Sequence, residues 1–215
     1  MFWDGDPFAF LQALVLKIPA LLIAVTIHEV AHGYVADRLG DPTARLQGRL
    51  TLNPLPHIDP IGALAFVIAG FGWAKPVPVN ARNLQRPIRD MAYVAAAGPL
   101  SNFLVAFLAL FVLEALRRTM HTPFLVTPLG GVLFYTYAFN LALGIFNLLP
   151  VPPLDGGHFL PYLLPRGSWS LLRQIEQYGP LLLLLLVVSG VTGYVIGPVF
   201  RLLDAAFVSV LRLVF

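Results

Sequence analysis

The chain has 215 residues, of which 58% are hydrophobic and 12% charged, with a mean hydropathy of +0.78. Soluble domains average roughly 45–50% apolar and about 25% charged, so this is a membrane-embedded chain. Disorder, a coiled coil and a disulfide scaffold are excluded: apolar content is too high for the first, charge too low for the second, and cysteine is absent.

The net charge is +3, and the 14 Lys and Arg are scattered between apolar runs. They read as charges that orient the chain beside a lipid bilayer, and nucleic acid is not expected as a partner. Asp4 and Asp6 precede the first apolar stretch without a basic region or a small-residue cleavage site, so that stretch does not read as a signal peptide. With 19 prolines and 18 glycines the helices must be interrupted. Non-helical backbone at membrane depth survives only inside protein or beside a wet cavity, so interruptions point towards function.

A helix needs about 20 residues to cross a bilayer core. The first apolar stretch, Phe8 to Leu39, carries Lys17, then the polar cluster His28, Glu29 and His32, and ends at the helix stop Gly40-Asp41-Pro42. The second, Ile61 to Trp73, has only 13 residues, or about 20 Å as a helix, and is too short to span. Met91 to Leu113 holds no charge, nor does Thr122 to Leu154; a last stretch runs from Gln177 to Phe200, followed by a mixed tail, Arg201 to Phe215. RLQGRLTLN at 45–53 alternates, and WAKPVPVN at 73–80 has prolines at every second donor, so both are expected as edge strands of a small sheet. No repeat, low-complexity linker or separate soluble domain interrupts the chain.

TIHEVAHGYVADRLG places His28 and His32 four residues apart, on one face of a helix, with Glu29 beside them. This is the HExxH zinc signature: two neutral imidazoles bind the metal while leaving positions open, and the adjacent carboxylate can take a proton from the attacking water. Surface helix histidines are the bland alternative, but Glu and His are costly at membrane depth and functional there by default. A third ligand is needed. Asp155 and His158 lie in NLLPVPPLDGGHFL, where Pro150, Pro152 and Pro153 forbid regular helix and Gly156-Gly157 frees the backbone. By its chemistry alone Asp155 is equally a ligand or a turn aspartate.

HEVAH in the first long apolar helix, AGPLSN at 97–102 and FNLLPVPPLDGGH at 146–158 together resemble the site-2 protease family of intramembrane zinc metalloproteases. The likeness is to a short form, with neither a PDZ insertion nor a cystathionine-synthase-like domain. It implies that His28, His32 and Asp155 bind zinc, that Glu29 is the catalytic base, and that Asn147, eight residues before Asp155, donates to the oxyanion. Interhelical bonding is the alternative for Asn147. Asn140, about two turns earlier, is a weaker candidate for the oxyanion role, and Asn102 reads as packing, with Gly98 and Ser101 letting helices approach. His57 reads as a polar turn residue, with a part in zinc entry or substrate contact as the alternative. His158 reads as a partner of the ligands rather than a ligand, His121 as solvent-side, and Lys75 as an interfacial anchor.

Zinc ligands must converge on one metal, so the end of the first helix and the residues after the fourth stretch must lie on the same side. That requires 61–73 to be re-entrant or interfacial. The connection from Asp37 to Asp90 holds seven Lys or Arg against four Asp, which makes that side cytoplasmic. The expected architecture is an all-α polytopic membrane protein with four to five transmembrane helices and a small membrane-embedded β-hairpin, in one domain over 1–215. The tail from 198 is either a further span or an interfacial helix. The expected function is a zinc-dependent endopeptidase, with one Zn²⁺ per chain, in the plasma or inner membrane. It cleaves within or next to a transmembrane helix of a protein substrate, and its site opens to the cytoplasm. A non-proteolytic zinc carrier or inactive scaffold relative is the alternative, against which Glu29 argues.

Overall fold

A computed structural model describes residues 6–69, 72–120, 127–165 and 167–215. His121 and the first residues of the stretch that begins at Thr122 lie outside them. The chain folds as helices α1 (Pro7–Arg38), α2 (Thr43–Leu46), α3 (Pro60–Ala69), α4 (Pro87–Thr119), α5 (Pro128–Asn147), α6 (Leu160–Leu163), α7 (Trp169–Val188) and α8 (Val191–Val214). Local chemistry sets the boundaries. Asp6 caps α1 through the amide of Phe8, at 2.9 Å. The carboxylate of Asp90 accepts the amide of Arg86 where α4 begins, and Thr127 Oγ1 caps α5 through the amide of Gly130.

Five helices, α1, α4, α5, α7 and α8, are long and apolar enough to cross a bilayer. Their outer faces carry exposed leucines, valines and isoleucines, as lipid contact requires. Lipid supplies no hydrophobic drive between helices, so close packing must do so, and small residues line the contacts: Ala20, Ala24 and Ala106 are wholly buried. Helices α1, α4 and α5 form the central bundle. His28 and His32 of α1 meet Asn102 and Val94 of α4, in opposite order along the two chains, so α1 and α4 are antiparallel. Lys17 lies over the Tyr135 ring and Gly131 lies against Leu16, so α1 and α5 are parallel. The end of α1, the start of α4 and the end of α5 therefore share one end of the bundle. Helix α3, ten residues long, is not among the candidate spans, which agrees with the parity argument.

The C-terminal region departs from expectation. The apolar run 177–200 is not one helix: Gly190, at φ +75°, breaks it between α7 and α8. Tyr137 Oη donates to Asp204 at 2.5 Å, and Phe107 and Phe111 of α4 meet Phe207 and Phe215. Helix α8 thus runs parallel to α4 and starts at the same end of the bundle as α4. Helix α7 leaves α6 within six residues, abuts the Pro152 carbonyl at Gly179, and meets α8 across a two-residue turn. Its start, its middle at Gly179 and its end each adjoin segments at that end of the bundle.

Among the described residues no strand forms; a single antiparallel bridge joins Ile58 and Ala74. Residues 43–46 are a helical turn, so the strand expected over 45–53 does not begin there. Residues 74–80 run without a ladder because Pro76 and Pro78 lack donors and the amides between go elsewhere: Lys75 to the His57 carbonyl, Val77 to Glu29, and Asn80 to Asp41.

Candidate metal centre

The four-residue spacing turns both histidines of α1 towards α4, where they are 6% and 9% exposed. Their Nε2 atoms stand 3.0 Å apart. The helices approach this closely because residue 98 is glycine: a Cβ there would run into both imidazole rings. Each Nδ1 faces an oxygen, His28 at 2.6 Å from Asn102 Oδ1 and His32 at 2.7 Å from the Val94 carbonyl.

After α5 the proline-rich segment folds back, and a 3-10 turn over Asp155–Phe159 follows. Gly156 sits against the carbonyls of Leu148 and Leu149, where a side chain has no room. Asp155 does not cap its own turn; its Oδ2 lies 3.2 Å from His28 Nε2 and its Oδ1 3.2 Å from His32 Nε2. One ligand atom from each of the three residues falls within 4.8 Å of the others. In the neutral imidazoles that bind a metal, with both Nδ1 atoms donating, the two Nε2 atoms carry lone pairs and face a carboxylate across about 3 Å. Asp155 Oδ2 is buried without a hydrogen-bond partner. Three such electron-pair donors converging on one point fit a cation, and two imidazoles with one carboxylate suit zinc.

Glu29 is beside this cluster, its Oε2 accepting the Val77 amide at 2.8 Å. The segment that supplies this amide is firmly seated. Val77 fits the notch at Gly33, Arg49 donates to the Lys75 carbonyl, and Asp41 accepts from Asn80 and Asn83. Burial alone would raise the Asp41 pKa; the bonds from Thr43, Asn83 and Asn80 outweigh it and hold the carboxyl below its usual value.

The other histidines stand apart. His57 ends a 3-10 turn over Leu55–His57, as a polar turn residue, but it is only 1% exposed, and its Nε2 donates to the Thr51 carbonyl and braces the loop. His158 is exposed and outside the cluster. Asn147 is half-buried, and its Nδ2 donates to the Leu143 carbonyl one turn back. Asn140 is fully buried, donating to the Thr136 carbonyl and accepting from Asn102. Asn102 packs between helices as expected, but it also touches His28, which the sequence reading missed. An asparagine within a charge-free span was the available signal.

A profile of Peptidase family M50 matches residues 119–187. The chain is 40% identical over 209 residues to the protein named "Putative zinc metalloprotease YwhC" of Bacillus subtilis, covering 96% of this chain and 93% of that one. It is 31% identical to "Putative zinc metalloprotease Rip2" of Mycolicibacterium smegmatis, over 85% of this chain and 70% of that one. The protein of the same name from Mycobacterium tuberculosis is 29% identical, over 95% and 79%. No solved structure matches. With identity at this level running almost end to end, and HEVAH and LDGGH brought together by the fold, the chain belongs to peptidase family M50.

Proposed function

We propose that the chain is a zinc-dependent intramembrane endopeptidase that hydrolyses a peptide bond within or next to a transmembrane helix of another membrane protein. His28, His32 and Asp155 hold one zinc, and Glu29 is the general base. The convergence of two Nε2 lone pairs and a buried, unpartnered carboxylate oxygen carries the reading. Zinc, when bound, supplies a Lewis acid that polarises the scissile carbonyl and makes water a nucleophile near neutral pH.

The chain's own residues do the rest. Glu29 accepts the proton of the attacking water and returns it to the leaving amine. Its Oε2 is held by Val77, which fixes the carboxylate while the other oxygen takes the proton. The Asn147 amide has a second N–H beyond the one spent on Leu143, and it donates this to the developing oxyanion. A helical substrate hides its carbonyls in hydrogen bonds, so it unwinds locally and lies extended along residues 73–80 in the manner of an added strand. The whole chain, 1–215, acts as one domain in the cell membrane. The excess of Lys and Arg in the connection between α1 and α4 supports a cytoplasmic position for the site's end of the bundle. A metal carrier is the lesser reading: it needs ligands that release to both sides, whereas this chain gathers one ligand set beside one base.

Reconstituted protein, wild type and Glu29→Gln, with a single-span substrate tests this. Cleavage by wild type that falls roughly 10²–10⁴-fold in the variant, with zinc retained in both, is expected. No cleavage by zinc-loaded wild type, or equal cleavage by both, would contradict it.

A further inference from the structure

Two asparagines lie wholly buried within the bundle, Asn102 on α4 and Asn140 on α5. An amide in hydrocarbon is costly unless every polar atom is used, and here they are joined in a chain. Asn102 Nδ2 donates to the Ala24 carbonyl at 3.0 Å and to Asn140 Oδ1 at 2.8 Å. Asn140 Nδ2 donates to the Thr136 carbonyl at 2.8 Å, and Asn102 Oδ1 faces His28 Nδ1 at 2.6 Å.

The direction of this chain is forced from its ends. A backbone carbonyl can only accept, so Ala24 and Thr136 each demand an NH₂ group. That turns Asn140 Oδ1 towards Asn102, and Asn102 Oδ1 towards His28. An oxygen at 2.6 Å requires a proton on His28 Nδ1, which in the neutral imidazole leaves Nε2 bare and aimed at His32 and Asp155. His32 reaches the same state through a backbone carbonyl that cannot turn over. His28 depends on a side-chain amide that can, and the Ala24 carbonyl together with the second asparagine removes that freedom.

We propose that Asn102 and Asn140 are positioning residues that lock His28 in the tautomer and ring orientation needed to bind zinc, with Asn102 accepting from Nδ1 and Asn140 fixing the sense of the Asn102 amide. The inference rests on the reading of His28, His32 and Asp155 as zinc ligands. Removing a group that orients a ligating histidine typically costs about 10–100-fold in metal affinity.

Zinc affinity by chelator competition, and the visible absorption of the cobalt-substituted protein, are measured in wild type, Asn102→Leu, Asn102→Asp and Asn140→Leu, with thermal unfolding of each. Asn102→Leu should bind zinc about 10–100-fold more weakly and shift the cobalt bands. Asn102→Asp keeps an oxygen against Nδ1 while losing both donated bonds, so it should recover most of that affinity, and Asn140→Leu should lose less than Asn102→Leu. A folded Asn102→Leu with wild-type affinity and spectrum overturns the proposal, as does Asn102→Asp binding as weakly as Asn102→Leu. Should Asn102→Leu fail to fold, Asn102→Asp decides alone: near-wild-type affinity supports the proposal, and a loss of ~10-fold or more overturns it. A wild type that binds no zinc would instead remove the ligand reading beneath it.

Discussion

Replacing Gly98 with alanine separates the needs of the site from those of the fold. The added Cβ would collide with the facing ring atoms of His28 and His32, which are held by Asn102 and Val94 and cannot swing aside. Overpacking of this kind costs about 1–3 kcal/mol. Alanine regains about 1 kcal/mol over glycine within a helix, so the net loss of stability is only about 0–2 kcal/mol. The site has no such offset. Displacing ligands by about 1 Å can cost ~10²-fold in rate, so Gly98→Ala should lose zinc affinity and roughly two orders of magnitude of cleavage while unfolding close to wild type. Zinc content, substrate cleavage and thermal unfolding of the purified variant measure the three effects. Gly131→Ala is the control, since its Cβ would meet only the movable end of Leu16. Wild-type zinc and cleavage in Gly98→Ala would refute the claim that α4 closes on the histidine pair.

Val77→Pro removes the amide that holds Glu29, and should slow cleavage roughly 10–100-fold with zinc retained, whereas Val77→Ala keeps the amide and should act near wild type. His57→Ala should keep full zinc but lose about 1–3 kcal/mol of stability, read from thermal unfolding, because it strips a buried loop of its bond to Thr51. Cysteines introduced at Arg45, Arg86 and Ser189 should label from one side of the membrane; labelling of Ser189 from the other side would mean that α7 crosses. A glycine near the scissile bond lowers the cost of opening a substrate helix by about 1 kcal/mol, so it should speed cleavage by up to ~5-fold over an alanine-rich span.

Composition and spacing make the membrane class, the helix stop after Leu39 and the non-spanning 61–73 segment legible, because hydrocarbon thickness is a fixed ruler. His28, His32 and Glu29 are legible because a helix places residues four apart on one face. Asp155 is harder: a Pro-Gly segment says only that a carboxylate can be aimed, and its target depends on packing against α1. The break at Gly190 hides inside a run that is apolar on both sides, since a glycine in a left-handed turn and one within a helix read alike. The 74–80 segment looks like a strand by alternation, yet its amides find Glu29, His57 and Asp41 instead of a ladder. Asn102 reads as packing because Gly98 and Ser101 flank it, and only the crossing of α1 and α4 brings His28 to it.

Zinc stoichiometry in Asp155→Ala beside His158→Ala tests the central claim most directly. Wild type and His158→Ala should each carry one zinc per chain, and Asp155→Ala should carry little or none after mild chelation, because one of three protein bonds to the metal is gone. Near-full occupancy in Asp155→Ala, or loss in His158→Ala alone, would contradict the account and move the third ligand to His158.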